Sequence, residues 1–136
     1  MIRPDVIVSW PRNCDYPLWR QYIHDNRPLF NQVHIVFTET FQGFDYRPFV
    51  RDAMFSDWCL FIDSPLPVAG EDWRNFAVNE GLKHSLHAEW LLFTEEDFFP
   101  KEGFWETVNQ AVDDGFDVVG VMDGKRLPPC FLLMKR

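Results

Sequence analysis

The sequence predicts an α/β fold in which a mostly parallel sheet is flanked by helices on both faces. Short apolar runs alternate along the chain with stretches of helical periodicity. The 136 residues are 46% hydrophobic and include 14 Phe and 6 Trp, enough for a substantial core. Alternation of this kind indicates parallel strands joined by right-handed helical crossovers. We therefore expect residues 1–136 to form a single domain.

The first half of the chain contains three predicted strands. They cover Val6–Trp10, Gln32–Thr38 and Trp58–Ile62. A helix that Asp15 could cap, with Pro17 tolerated in its first turn, is expected through about Asn26. A further short helix is predicted at Pro48–Phe55.

The second half repeats this alternation. A helix is predicted from about Glu71 to His87, and its small residues Gly81 and Ser85 would permit close approach to a sheet. The remaining elements are a buried strand from Trp90, a helix from Pro100 to about Asp114-Gly115, a buried strand Phe116–Met122 and a last apolar run Phe131–Met134.

Charge and cysteine content narrow the class of protein. The formal net charge of -8 argues against nucleic acid or an anionic membrane surface as partner. Cys14, Cys59 and Cys130 form no metal-binding spacing and would leave one cysteine unpaired, which favours a reduced, cytoplasmic setting. The sequence has neither a recognisable signal peptide nor a run of transmembrane length, so we expect no transmembrane segment.

An acidic turn follows the apolar strand that begins at Trp90. Side chains alternate along a strand, so Glu95 and Asp97 are expected to point the same way. Carboxylate oxygens are the ligands that Mg²⁺ and Mn²⁺ prefer, and a bound cation would in turn hold phosphates. The alternative is a strand that runs out into a solvated acidic turn.

Polar residues also close the other predicted strands. They are Ser9, Glu39 and Asp63, which join the Glu95/Asp97 pair. The carboxyl ends of parallel strands meet at one edge of an open sheet, where ligands bind at a topological switch point. Neither the dinucleotide-binding pattern G-x-G-x-x-G nor the P-loop pattern occurs, which disfavours those two classes of phosphate-binding enzyme.

Several segments resemble family 2 glycosyltransferases with the GT-A fold. The similarity lies in the first strand and its Pro11-Arg-Asn13 turn, the loop and helix from Gly70 through Asn79 to Leu82, the strand Trp90–Phe93 leading into Glu95-Glu96-Asp97, and the late run Cys130–Arg136. The segments occur in the family's order and cover most of the chain. The resemblance implies a short, GT-A-like nucleotide-diphospho-sugar transferase fold.

The resemblance also implies a metal-dependent glycosyltransferase that uses a UDP- or GDP-linked sugar and an unknown acceptor. By that resemblance Glu95 and Asp97 hold Mn²⁺ or Mg²⁺ against the diphosphate. The nucleotide-sugar-binding residues it implies are Ser9, Trp10, Glu39, Asp63 and Asn79. The metal would act as a Lewis acid on the leaving nucleoside diphosphate.

Other interpretations stay open for these residues. Trp10 could cap the sheet edge, Glu39 and Asp63 could cap turns, and Asn79 could face solvent. His84 and His87 are more simply surface histidines than a metal pair. The catalytic residue is unknown, since nothing marks Asp117 or Asp123 as the general base. The alternatives to an enzyme are a truncated or non-catalytic nucleotide- or metal-binding module and an acidic protein-interaction domain. If the chain is an incomplete enzyme, efficient transfer would need residues supplied by a partner chain, a homo-oligomer or a missing C-terminal region.

Overall fold

The computed structural model describes residues 1–10, 16–37, 59–63, 73–85, 87–95, 98–121 and 131–136. These residues form six strands: β1 Asp5–Trp10, β2 Val33–Phe37, β3 Cys59–Asp63, β4 Trp90–Glu95, β5 Val118–Gly120 and β6 Phe131–Lys135. They also form three α-helices, α1 Tyr16–Asp25, α2 Trp73–Leu82 and α3 Phe104–Asp113, and a 3-10 helix at Arg27–Leu29. Within this part of the chain no helix has both the length and the apolar character needed to cross a membrane. The helix predicted at Pro48–Phe55 lies outside the described residues.

The six strands form one sheet in the order β3-β2-β1-β4-β6-β5. β1 pairs in parallel with β2 on one side and with β4 on the other. β2 also pairs in parallel with β3. β6 is antiparallel to both of its neighbours, β4 and β5. The predicted strands at the positions of β1 to β4 are therefore confirmed as elements.

The predicted fold class, a mostly parallel sheet flanked by helices in a GT-A-like arrangement, is wrong. The described sheet is mixed, and three α-helices accompany its six strands. The physical reason lies in the connection from β5 to β6, which consists of residues 121–130. A parallel crossover needs about a dozen residues or more, usually including a helix, whereas an antiparallel return needs far fewer.

The core lies on both faces of the sheet because side chains alternate along each buried strand. On one face, Val6 and Val8 of β1 pack with Trp19 and Ile23 of α1 and Val108 of α3. On the other face, Ile7 belongs to a smaller cluster with Val36, Leu91 and Phe93, against which Val78 and Leu82 of α2 pack.

Helix α2 approaches β1 closely at Gly81. A Cβ atom added there would lie 2.5 Å from Cγ2 of Ile7, well inside van der Waals contact. Beyond the helix, the buried Ser85 hydroxyl donates a hydrogen bond to Oδ2 of Asp5 at 2.6 Å. The close approach predicted for Gly81 and Ser85 is therefore confirmed.

The end predicted for this helix is wrong, since α2 stops at Leu82 rather than near His87. The amide of His84 donates to the carbonyl of Gly81, and the amide of Ser85 donates to that of Leu82. These bonds span three residues, which tightens the last turn and ends the helix. The turn brings Ser85 to the carboxylate of Asp5 at the amino-terminal end of β1.

Helix α3 also begins later than predicted, at Phe104 rather than Pro100. Gly103 precedes it with a φ of 80°, a left-handed conformation that separates Pro100 from the helix. The predicted stop at Asp114-Gly115 is confirmed. Gly115 has a φ of 95°, its amide donates to Val112 and the next amide, that of Phe116, donates to Ala111. This pair of bonds is a Schellman motif.

The prediction of a buried strand at Phe116–Met122 is wrong. β5 has three residues and lies at the end of the described sheet, with β6 as its neighbour. Phe116 is 60% exposed and Val118 is 52% exposed. Because Phe116 takes part in the cap of α3, the chain turns into the strand only after it.

We predict that Gly81→Ala destabilises the protein by roughly 1–3 kcal/mol, because the new methyl group overlaps Ile7. In an exposed helix the same substitution would stabilise by about 1 kcal/mol, so the sign of the change is diagnostic. Urea unfolding of both proteins measures the difference. The cost should shrink in an Ile7→Ala background, where the overlapping atoms are absent. Equal or greater stability of Gly81→Ala would contradict the close contact.

Candidate functional site

The candidate site is the edge of the sheet at which β1, β2, β3 and β4 all end. The backbone of Ser9 in β1 is the register partner of Glu95 in β4. One position further along β1, Trp10 is the partner of Phe37 in β2, which in turn is the partner of Asp63 in β3. The structure thus brings four of the residues predicted from the sequence to one edge: Ser9, Trp10, Asp63 and Glu95.

The chain changes direction across the sheet at this edge. From β1 it continues to β2 and then β3 on one side, whereas β4 lies on the other side of β1. The helix after β1, α1, packs on one face of the sheet, and the helix that precedes β4, α2, packs on the opposite face. Such a divergence at the carboxyl ends of adjacent parallel strands opens a crevice that commonly binds ligands. Ser9 and Glu95 flank it.

Glu95 places an acidic side chain at this crevice. It ends β4, where the burial of successive residues falls from buried at Trp90 to partly buried at Thr94 and Glu95. A carboxylate in this half-buried position is accessible to a ligand and yet is held by a strand paired on both sides. Its oxygens are suited to a hard cation.

An aromatic cluster holds the chain just after Glu95. The amide of Phe98 donates to the carbonyl of Glu95 at 3.4 Å. The ring of Phe98 lies 5.8 Å from that of Phe104 and 5.4 Å from that of Phe131. Phe104 and Trp105 stand edge-on to each other at 5.4 Å. These contacts tie the segment that follows the acidic strand to both α3 and β6.

A small cavity lies under this edge, inside the core. Its lining includes Tyr22, Thr94, Glu95, Phe98 and Trp105, and its volume of about 20 Å³ has room for roughly one water. Burial raises the pKa of the Tyr22 hydroxyl, and a hydrogen bond with Trp105 opposes that shift. The cavity is too small for a nucleotide or a sugar. A ligand of that size would have to lie above the edge, in the crevice.

Two of the predicted site residues, Glu39 and Asp97, lie outside the described residues. Asn79 lies on α2 between the sheet-facing Val78 and the part-buried Glu80, and its own side chain is exposed. The described structure therefore does not bring Asn79 to the carboxyl edge by any contact. Its role in nucleotide binding stays a prediction.

No group of three or more His, Cys, Asp or Glu side chains suited to a metal ion is found among the described residues. The two histidines considered from the sequence, His84 and His87, are both exposed. The donor chemistry of Glu95 fits Mg²⁺ or Mn²⁺, and Asp97, two residues further along the sequence, would supply the second carboxylate of the predicted pair.

The sequence reasoning missed a buried polar cluster at the opposite edge of the sheet. Asp5, His34 and Ser85 are 4%, 1% and 1% exposed, respectively. The available signal was His34, a polar residue inside the otherwise apolar run of β2. A polar side chain at such a position is either solvent-facing or part of a buried network.

The chain was compared with models of known protein families and with curated proteins, and neither comparison finds a match.

We predict that Phe98→Ala lowers the free energy of unfolding by about 2 kcal/mol, less than for a fully buried Phe because the ring is partly exposed. The loss follows from its packing against Phe104 and Phe131. Phe116→Ala is the matched control, since that ring is 60% exposed and its removal should change stability by less than about 0.5 kcal/mol. Thermal or urea unfolding compares the two variants. Equal effects would mean that Phe98 does not hold this segment.

Proposed function

We propose that the protein binds a nucleotide-diphosphate sugar through a divalent cation and acts as a glycosyltransferase. The observation that carries this proposal is the register of Ser9 with Glu95 at the switch point between β1 and β4. It sets an acidic side chain beside the crevice where open sheets bind ligands. The proposal rests on this edge and on the sequence resemblance, independently of the predicted fold class.

The proposed roles follow from position along the edge. Glu95, together with Asp97, binds Mn²⁺ or Mg²⁺, which holds the diphosphate and acts as a Lewis acid when the sugar leaves. Ser9 and Trp10, at the end of β1, line the nucleotide on the β2 side of the crevice. Asp63 lies two strands from β1, level with Trp10 through Phe37, and takes the base or ribose in this proposal. Glu39 and Asn79 complete the proposed nucleotide-sugar set.

A cation is needed for electrostatic reasons. The protein carries a formal net charge of -8, and the nucleoside diphosphate is itself an anion. A divalent ion between the carboxylates and the phosphates converts this repulsion into attraction on both sides. A UDP- or GDP-linked sugar is the proposed donor, and the acceptor is not specified by any described residue. We also propose a cytoplasmic location, because three cysteines cannot all pair in disulfides within the chain.

The second candidate is a nucleotide- and metal-binding module that does not transfer the sugar. Direct displacement requires a general base beside the acceptor hydroxyl. One of the two acids considered from the sequence, Asp117, precedes the edge strand β5, and its carboxylate lies 4.0 Å from the ammonium group of Lys135. β4 and β6 separate this strand from β1 and hence from the crevice. That placement favours binding without efficient turnover by a single chain.

We predict that the protein binds UDP or GDP in the presence of Mn²⁺, and that Glu95→Gln weakens this binding at least about tenfold, or about 1.4 kcal/mol. The substitution keeps the size of the side chain and removes the charge that would hold the cation. Isothermal titration calorimetry with each nucleotide, with Mn²⁺ and with EDTA, measures the effect.

Glu89→Gln is the matched control for this experiment, because Glu89 is an exposed glutamate immediately before β4, at the end of the strand opposite to Glu95. It should leave the affinity unchanged. Nucleotide binding of equal affinity in EDTA, or an equal loss of affinity in both variants, would show that Glu95 does not bind a cation at the nucleotide site. Absence of any nucleotide binding would favour an acidic protein-interaction domain.

We further predict that the isolated chain releases nucleoside diphosphate from sugar nucleotides slowly, and that added acceptors accelerate release little. The reason is that the described acids at this edge, Glu95 and Asp63, are already assigned to the metal and the nucleotide, which leaves neither as the general base. Release from a panel of UDP- and GDP-sugars, with and without candidate acceptors, measures this. Rapid acceptor-dependent release by the monomer would instead make the single chain a complete enzyme. Rapid release only in a homo-oligomer or with a partner chain would support a shared site.

A further inference from the structure

His34 is buried without a hydrogen-bond partner. It lies in β2, is 1% exposed, and neither ring nitrogen makes a hydrogen bond with the described residues. The nearest acidic group is the carboxylate of Asp5, whose Oδ2 atom lies 3.8 Å from Nε2. That distance is beyond a hydrogen bond. The neutral ring is thus tolerated in this interior, whereas a charged ring would lack adequate solvation.

The carboxylate of Asp5 is already occupied by other donors. Its Oδ2 accepts the hydroxyl of Ser85 at 2.6 Å, and its Oδ1 accepts the side-chain amide of Asn31 at 2.7 Å. A charged His34 could pair with Asp5 only if the carboxylate or the ring moved from these positions. The bond most directly affected is the one from Ser85, because it ends on the same oxygen that His34 faces.

Ser85 belongs to a short segment that we term the α2–β4 corner, Lys83–Ser85 and His87–Glu89. Lys83, His84, His87 and Glu89 are all exposed. Besides the Asp5 bond, Arg136 at the end of β6 holds the corner: its guanidinium donates to the carbonyl of Ser85, and its amide donates to that of Glu89 at 2.9 Å. The corner is thus joined to the buried Asp5–His34 pair through the side chain of Ser85, and its neighbouring side chains are exposed.

The charged groups around His34 make its protonation unfavourable in place. Burial lowers the pKa of His34, the Asp5 carboxylate of β1 opposes this, and His84 of the corner adds to the lowering. Arg136 contributes a further positive charge bonded to Ser85. In β3, the register partner of His34 is Leu60, which carries no charge. The proton is therefore more readily accepted once water reaches the ring.

We propose that His34 makes the α2–β4 corner an acid-sensitive latch: protonation of the ring releases Ser85 from Asp5 and opens the corner to water. The device is independent of the proposed nucleotide site, because Asp5 and Glu95 lie at opposite ends of the paired strands β1 and β4.

The sign of the pH effect follows from the lowered pKa. An open or unfolded chain carries His34 with an ordinary pKa of about 6.5 and therefore binds a proton more readily than the closed form. The closed form is fully favoured above that pH. As the pH drops from about 6.5 toward the lower pKa of the closed state, the equilibrium shifts toward the open form. For one proton, the equilibrium constant for opening rises by up to about tenfold per pH unit.

Amide hydrogen exchange followed by NMR, corrected for the intrinsic pH dependence of exchange, tests the latch between pH 7.5 and 5. As the pH drops, we expect the amides of Ser85 and Arg136 to lose protection from exchange. The amide of Val6, which is bonded to Gln32 within the sheet, should keep its protection. His34→Gln should abolish the pH dependence at the corner. His24→Gln, which removes an exposed histidine beside Asp25, should preserve it.

A second measurement covers the case in which His34→Gln fails to fold. In the wild-type protein, the ring resonances of His34 should titrate with the same midpoint as the loss of protection at the corner. An unchanged acid response in His34→Gln would overturn the latch. So would loss of protection at the corner while the His34 ring is still neutral, or an equal loss at Val6.

Discussion

Burial of β1 on both faces is the constraint on which the described structure depends. Val6, Ile7 and Val8 are each at most 1% exposed, and β1 is paired on both sides. A strand enclosed in this way requires a helix to approach each face closely. On the face of Ile7 the approach is so close that only a residue without a side chain fits at position 81. β2 and β4 pair on opposite sides of β1, and this divergence gives the crevice at their carboxyl ends.

The two ends of β1 have opposite chemical characters, although the strand between them is uniformly apolar. At its start, the Asp5 carboxylate is buried and accepts one hydrogen bond on each oxygen, from Asn31 and from Ser85. At its end, Ser9 lies in register with the partly exposed Glu95. A buried carboxylate acts in the fold through its hydrogen-bond partners, whereas a partly exposed one at a strand end can also be reached from solvent. This contrast separates a structural acid from a candidate functional acid.

Much of the local structure could be predicted from the sequence, because apolar runs such as that of β4 report burial directly. The carboxyl end of α2 and the start of α3 could not, since they depend on a tertiary bond from Ser85 and on the left-handed φ of Gly103. The mixed sheet was missed because the orientation of β6 depends on the length of the β5–β6 connection rather than on the pattern of either strand. Glu95 was identified by its position after an apolar run, but its pairing with Ser9 depends on strand order, which no local pattern encodes.

The short edge strand has a consequence for how copies of the chain meet. Exposed backbone at the end of a sheet can recruit another strand and thereby seed aggregates. β5 offers three residues for such pairing, which is short for a template. Three exposed acids, Asp113, Asp114 and Asp117, lie close in sequence to the exposed Phe116 and Val118, and Lys135 near Asp117 balances one of them. A short, charged edge of this kind disfavours pairing of β5 with the same strand of a second copy.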